Sequence, residues 1–301
     1  MPKKKLTVKP KKDTKIAAII VGLFAAVVIL CFIFLKAKES NKENAPVSSE
    51  FIKTPVPVKY NNFSLQPVTP RPLEIVPGSG GKIAFIIDDW GQSTANCKYL
   101  REIPEALAVS ILPGLRHTKD VASCAKLYHK MTMLHLPLEA LYNSDYYPRN
   151  YIIKTSMPSD LVSAIVNEDL AQLPTIEGVN NHMGSKATAD KSLMRIIFKI
   201  IKKKELFFVD SMTSRYSISA QLADEMGLSF GKRDVFLDNI NTRAAITKQI
   251  VALARVARRR GYAVAIGHDR HLTMQVLKDE IPWLEAQGFE IVSIKELLKK
   301  H

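Results

Sequence analysis

Cysteine is scarce. Three residues in a chain of 301 cannot knit a disulfide framework, so a small cross-linked scaffold is excluded. No G-x-G-x-x-G or P-loop follows the first apolar strand, which argues against a nucleotide-binding α/β protein. No G-x-S-x-G elbow is present, so a serine-type hydrolase fits poorly. Acidic residues are outnumbered, 29 against 43 basic ones, for a net charge of +14. That excess does not point to nucleic acid. Residues 1–15 hold seven lysines and one aspartate, and no regular basic–aromatic interleaving occurs elsewhere. No nucleic-acid partner is expected.

Long hydrophobic runs are also rare, with one exception. Residues 16–35, "IAAIIVGLFAAVVILCFIFL", contain no charge and no proline. About 20 apolar residues match a ~30 Å hydrocarbon core, and a buried core helix would normally show a polar face. A cleaved signal peptide has a shorter apolar region and a small-x-small site, which "LKAKES" does not offer. Residues 16–35 are therefore expected to be an uncleaved anchor in the cytoplasmic membrane. The lysines before it make residues 1–15 a cytoplasmic tail. Everything after the span would face the periplasm, giving a single-pass inner-membrane protein. Of the three cysteines, Cys31 lies in the span. Cys97 and Cys124 either pair in an oxidising compartment or stay as two buried thiols, and their spacing is no metal motif.

Residues 36–81 are rich in Pro, Ser, Asn and Lys and read as a flexible linker ending in "PGSGG". From Lys82 to His301 short apolar runs alternate with helical stretches. Strands are expected at 82–87, 107–112, 131–136, 178–182, 206–209, 235–237, 262–267 and 289–294. In "DKSLMRIIFKIIKKK", Leu193, Ile196, Ile197, Ile200 and Ile201 share one helical face. "TKQIVALARVARRR" ends in arginines before Gly261, a C-terminal stop. This alternation predicts an α/β fold with seven or eight mostly parallel strands, a barrel rather than an open doubly wound sheet.

The carboxyl ends of parallel strands share one rim, where active sites are built. Here the ends read Asp88-Asp89, His135 with Glu139 beyond it, Asn180-Asn181-His182, Asp210-Ser211, Asp238-Asn239 and His268-Asp269. Each carboxylate alone has the ordinary reading of a helix cap, and each histidine that of a core residue. Jointly they put three of the chain's seven histidines on one rim with several acids. Two histidines and a carboxylate form a catalytic Zn²⁺ set with a position left open. A neighbouring free carboxylate would serve as base and an opposed histidine as acid. The adjacent aspartates thus suggest one ligand and one base. A two-carboxylate glycosidase would not need the histidines.

"FIIDDWG", "LHLPLE", "GVNNHMGSKAT", "FFVDSMTS", "VFLDN" and "AIGHDR" together resemble the divergent polysaccharide deacetylase family, a branch of the NodB-like carbohydrate esterases. The likeness spans about 82–298. It implies a distorted (β/α) barrel and a metal-dependent hydrolase that removes acetyl groups, N-acetyl foremost, from an envelope or extracellular polysaccharide. By position it makes Asp88 the base, Asp89 a metal ligand and His268 the acid. The main family's H-x-x-x-H is broken twice, as His135-x-x-x-Glu139 and His182-x-x-x-Lys186, so His135 and His182 would jointly complete the metal site. Glu139 would be a further ligand or a partner of one. Asp210 would orient His268 or contact substrate, and Asn181 and Asp238 would line the pocket. The broken motif also leaves room for a non-catalytic glycan-binding or scaffold protein on the same fold.

Overall fold

The computed structural model describes residues 80–104, 106–142 and 152–298. The basic tail, residues 16–35 and the linker as far as residue 79 lie outside them. No described helix is long and apolar enough to cross a membrane.

Among the described residues nine strands form one sheet. They are β1 (Gly81–Trp90), β2 (Leu107–Ile111), β3 (Met131–Leu138), β4 (Gly178–Met183), β5 (Phe207–Asp210), β6 (Phe230–Lys232), β7 (Val235–Phe236), β8 (Tyr262–His268) and β9 (Phe289–Ile291). The helices are α1 (Cys97–Glu102), α2 (Thr118–Leu127), α3 (Ser159–Gln172), α4 (Lys191–Lys203), α5 (Ser219–Met226), α6 (Arg243–Arg260), α7 (His271–Ala286) and α8 (Ile294–Leu298). Two helix ends follow directly from sequence. The Asp190 side chain caps α4 by accepting from the Leu193 N–H, and Gly261, in the left-handed region at φ 84°, stops α6.

The strand order is β6-β5-β4-β3-β2-β1-β8-β7, with β9 added against β1, and every pairing is parallel. The closed barrel expected from sequence is replaced by a curled half-barrel. Its two outer strands are consecutive in the chain and do not pair with each other. The switch falls between neighbouring residues. Arg233 N–H donates to the Asp210 carbonyl of β5, while Asp234 N–H donates to the Val264 carbonyl of β8. Only three and two residues long, these strands cannot build a ladder across the seam. β6 carries little apolar patterning and is absent from the expected strand set. The last expected strand, 289–294, is shorter, because Ile294 opens α8.

Alternation along the strands sorts the core into two layers. Ile83, Phe85 and Ile87 face the helices with Val109, Leu134, Val179 and Phe208. Ala84, Ile86, Ala108, Met133, Phe207, Val209, Val264 and Ile266 face the concave interior, plugged from α8 by Ile294. Each fully buried Ile or Leu contributes roughly 1.5–3 kcal/mol. The inward parity continues from Ala84 and Ile86 to Asp88, from Met133 to His135, and from Ile266 to His268. Where the apolar filling ends, the polar residues begin.

Candidate metal centre

Asp89, His135 and His182 each offer one ligand atom, and these atoms lie within 4.8 Å of one another. His135 Nε2 stands 3.2 Å from Asp89 Oδ1, and His182 Nδ1 stands 3.0 Å from the same oxygen. The ring edges of the two histidines face at 73°. This is the trio expected from the sequence, supplied by β1, β3 and β4.

Adjacent strand residues normally point to opposite faces, yet both aspartates reach this site. The backbone explains it. Register with β2 shifts between Ile87 and Trp90, and Asp89 takes the left-handed region at φ 64°, a strained conformation for a non-glycine residue. Asp88 keeps the inward parity of β1, and the twist at Asp89 swings the second carboxylate onto the same rim.

Asp88 is 2% exposed. Its Oδ1 accepts from Asn180 Nδ2 at 2.7 Å, and its Oδ2 lies 3.7 Å from His135 Nε2. β1 and β4 are separated by two strands, which in a flat sheet would put them about 14 Å apart. The curl of the half-barrel makes the contact. Asn180 Oδ1 also accepts from His135 Nδ1 at 2.8 Å and from Ser110 Oγ at 2.5 Å. Because an amide oxygen only accepts, His135 carries a proton on Nδ1, which aims its Nε2 at Asp89 and His182.

Burial lifts the Asp88 carboxyl above its ordinary range, with the His135 charge and the Asn180 hydrogen bond opposing. Burial also resists ionisation of Asp89, but hydrogen bonds from His135 and His182 hold its carboxyl well below that range. Burial, reinforced by the His135 charge, lowers the His182 imidazole. Asp89 and His182 are thereby driven to the forms that bind metal. Burial would lower the His135 imidazole too, but the Asp88 and Asp89 carboxylates outweigh it and raise the group, so an ion would displace the His135 Nε2 proton. Two imidazole nitrogens and a carboxylate fit a divalent cation, Zn²⁺ foremost.

His268 faces the trio from β8, paired in register with Asp88, with Nε2 3.8 Å from Asp89 Oδ2. Its Nδ1 donates to Asp238 Oδ1 at 2.8 Å, and its backbone N–H donates to Asp238 Oδ2 at 3.0 Å. Asp238 also accepts from Thr273 Oγ1 at 2.7 Å. Burial would lower the His268 imidazole, but Asp238 outweighs it and raises the group overall.

Three expected placements are corrected. Asp210 does not orient His268. Phe207 and Val209 take the inward positions of β5, so Asp210 points outward, accepting from the Met212 N–H and from Ser217 Oγ. Asn181 has the same outward parity. Its Oδ1 accepts from the Ser211 N–H and its Nδ2 donates to the Met183 carbonyl, which fastens the rim loops rather than lining a pocket. Glu139 lies outside the trio, its carboxylate taken by the Thr155 N–H, Thr155 Oγ1 and Lys186 Nζ. Asp238 is at the site, as the partner of His268. The sequence reading assigned no role to Asn180, Ser110 or Arg233. Arg233 Nε donates to the Ser211 carbonyl at 2.7 Å and holds the turn beyond β5. Strand parity identifies Asn180 and Ser110, whereas Arg233 had no sequence signal.

The family model for "Divergent polysaccharide deacetylase" matches residues 85–298. An uncharacterized protein, YibQ, of Escherichia coli (strain K12) is 31% identical over 205 residues, covering 68% of this chain and 64% of that one. The chain thus spans somewhat under two thirds of that relative's length. An uncharacterized protein of Haemophilus influenzae is 32% identical over 197 residues, covering 65% of this chain and 70% of its own. The crystal structure of uncharacterized protein ATU2773 from Agrobacterium tumefaciens C58 superposes with a TM-score of 0.69 at 22% identity, over 73% of this chain and 90% of that one. That likeness is one of fold.

Proposed function

The chain belongs to the divergent polysaccharide deacetylase family, and from that premise we propose that it is a metal-dependent hydrolase. Its substrate would be an envelope or extracellular polysaccharide, from which it removes acetyl groups, N-acetyl foremost. The observation that carries this reading is the convergence of Asp89, His135 and His182 beside a buried carboxylate and an opposed histidine.

Asp89, His135 and His182 would hold the ion. When bound, Zn²⁺ supplies Lewis acidity and lowers the pKa of water. Asp88 serves as general base and takes a proton from the attacking water on Oδ2, since Asn180 occupies its Oδ1. A carboxyl lifted by burial suits that task better than an ordinary one. His268 delivers a proton from Nε2 to the departing amine nitrogen, and Asp238 steadies the resulting charge through Nδ1. Asp210 remains able to act on substrate only through the loop it ties down. Residues 16–35, preceded by the lysine-rich segment, would anchor the domain in the inner membrane and leave it on the periplasmic side.

The test uses the full chain in detergent micelles, loaded with Zn²⁺ and offered acetylated chitooligosaccharides and peptidoglycan glycan strands. Acetate release by the wild type should fall at least about 100-fold in Asp88→Asn, with zinc content unchanged. Stoichiometric zinc without acetate release from any glycan would overturn the hydrolase reading and favour a glycan-binding protein.

A further inference from the structure

Cys97 opens α1, and Cys124 lies in α2. The two helices pack together, and both side chains are only partly buried. Cys124 Sγ approaches the Cys97 carbonyl at 3.9 Å. Among the described residues these are the two cysteines. The geometry brings the Cys124 sulfur against the backbone of Cys97, 27 residues away in sequence, on neighbouring helices whose packing already sets their approach.

We propose that Cys97 and Cys124 are a disulfide site that staples the first turn of α1 to α2. The oxidant is a low-molecular-weight or protein disulfide. One thiolate attacks it, forming a mixed disulfide and releasing one reduced thiol. The other protein sulfur then attacks the mixed disulfide and expels the second thiol. The protein loses two protons and two electrons, and the oxidant's disulfide is reduced to two thiols. Burial, with the neighbouring Cys124 added, pushes the Cys97 thiol up to about 12, which disfavours a lone Cys97 thiolate.

The staple has a place in the site's architecture. Asn96, next to Cys97, donates from Nδ2 to Asp269 Oδ1 at 2.7 Å. The Asp269 backbone N–H in turn donates to the Asp88 carbonyl at 2.8 Å. Fastening Cys97 therefore fastens the segment that braces the β1–β8 rim. No step of the proposed hydrolysis uses either sulfur, so this inference stands apart from that reading.

The test uses the full chain in detergent with Cys31→Ser, purified reduced and then incubated, folded, with oxidised glutathione. The expected product is monomeric, lacks both free thiols and yields a linked peptide pair containing Cys97 and Cys124. Closing a loop of this length should raise its thermal midpoint by about 5–10 °C, reversed by reductant. In a Cys124→Ser companion, Cys97 should gain neither the link nor the thermal shift. Glutathione adducts retained on both cysteines, disulfide-linked dimers, or thiols that stay free in the folded protein would each overturn the proposal.

Discussion

Asn180 joins Asp88 to His135, donating to Asp88 Oδ1 at 2.7 Å while accepting from His135 Nδ1 at 2.8 Å. One amide thus fixes a carboxylate and an imidazole that arrive from different strands. Asn180→Ala removes both contacts, and the zinc dissociation constant should rise about 10–100-fold, measured by competition with a chromophoric chelator. Asn180→Asp keeps an acceptor for His135 but sets a second carboxylate against Asp88. It should bind zinc close to wild-type strength while losing most turnover. Equal zinc losses in both variants would mean that Asn180 serves packing rather than orientation.

The pairing of His268 with Asp238 leads to a comparison with Asp210. Asp238→Asn leaves the shape intact but withdraws the charge that steadies an imidazolium. Deacetylation should fall about 10²–10⁴-fold with zinc content unchanged. Asp210→Asn, facing away from the trio, should change turnover by no more than a few-fold. Its cost should appear in stability, at roughly 1–2 kcal/mol, because the Met212 and Ser217 contacts weaken. A larger turnover loss in Asp210→Asn than in Asp238→Asn would reverse these assignments.

Sequence makes the site legible through strand parity more than through motif spacing. Ala84, Ile86 and Asp88 continue one inward face, so the apolar filling itself indicates which strand-end residue enters the site. The same count selects Asn180 over Asn181, and Ser211 over Asp210. At these ends the more chemically expressive neighbour, Asp210 beside Ser211, masks that signal. Asp89 runs against parity and is reached through its adjacency to Asp88 and the motif likeness; its left-handed backbone has no mark in the sequence. The half-barrel seam was illegible for another reason. β6 and β7 are too short to carry a period, and their split depends on partners far away in the chain.

The trio predicts how the protein responds to metal. Zinc at about 100 times its dissociation constant adds about 2.7 kcal/mol to a fold that binds it only when native. That corresponds to a rise of roughly 5–10 °C in the thermal midpoint. His182→Ala deletes the β4 ligand but leaves the His135–Asn180 contact untouched. The variant should fold, lose most of the zinc-dependent rise and hold less zinc after dialysis. An unchanged zinc-dependent shift would remove His182 from the ligand set.

Asp169 predicts how stability varies with pH. It lies on the buried face of α3 with Val162, Val166 and Leu170. It is 1% exposed, and its Oδ2 has no hydrogen-bond partner among the described residues. Burial, with the Glu168 charge added, pushes its carboxyl up to about 7 from an ordinary 3.8. Between those values the folded protein keeps a proton that the unfolded chain has released. This group's contribution to stability therefore declines as pH rises through that window and is fully unfavourable above it. The cost at alkaline pH is on the order of 2–4 kcal/mol. Asp169→Asn removes the ionisation while keeping the volume. Denaturant titrations should find variant and wild type nearly equal at pH 4 and the variant clearly more stable at pH 8. The same offset at both values would show that the Asp169 carboxyl titrates alike in the folded and unfolded chain.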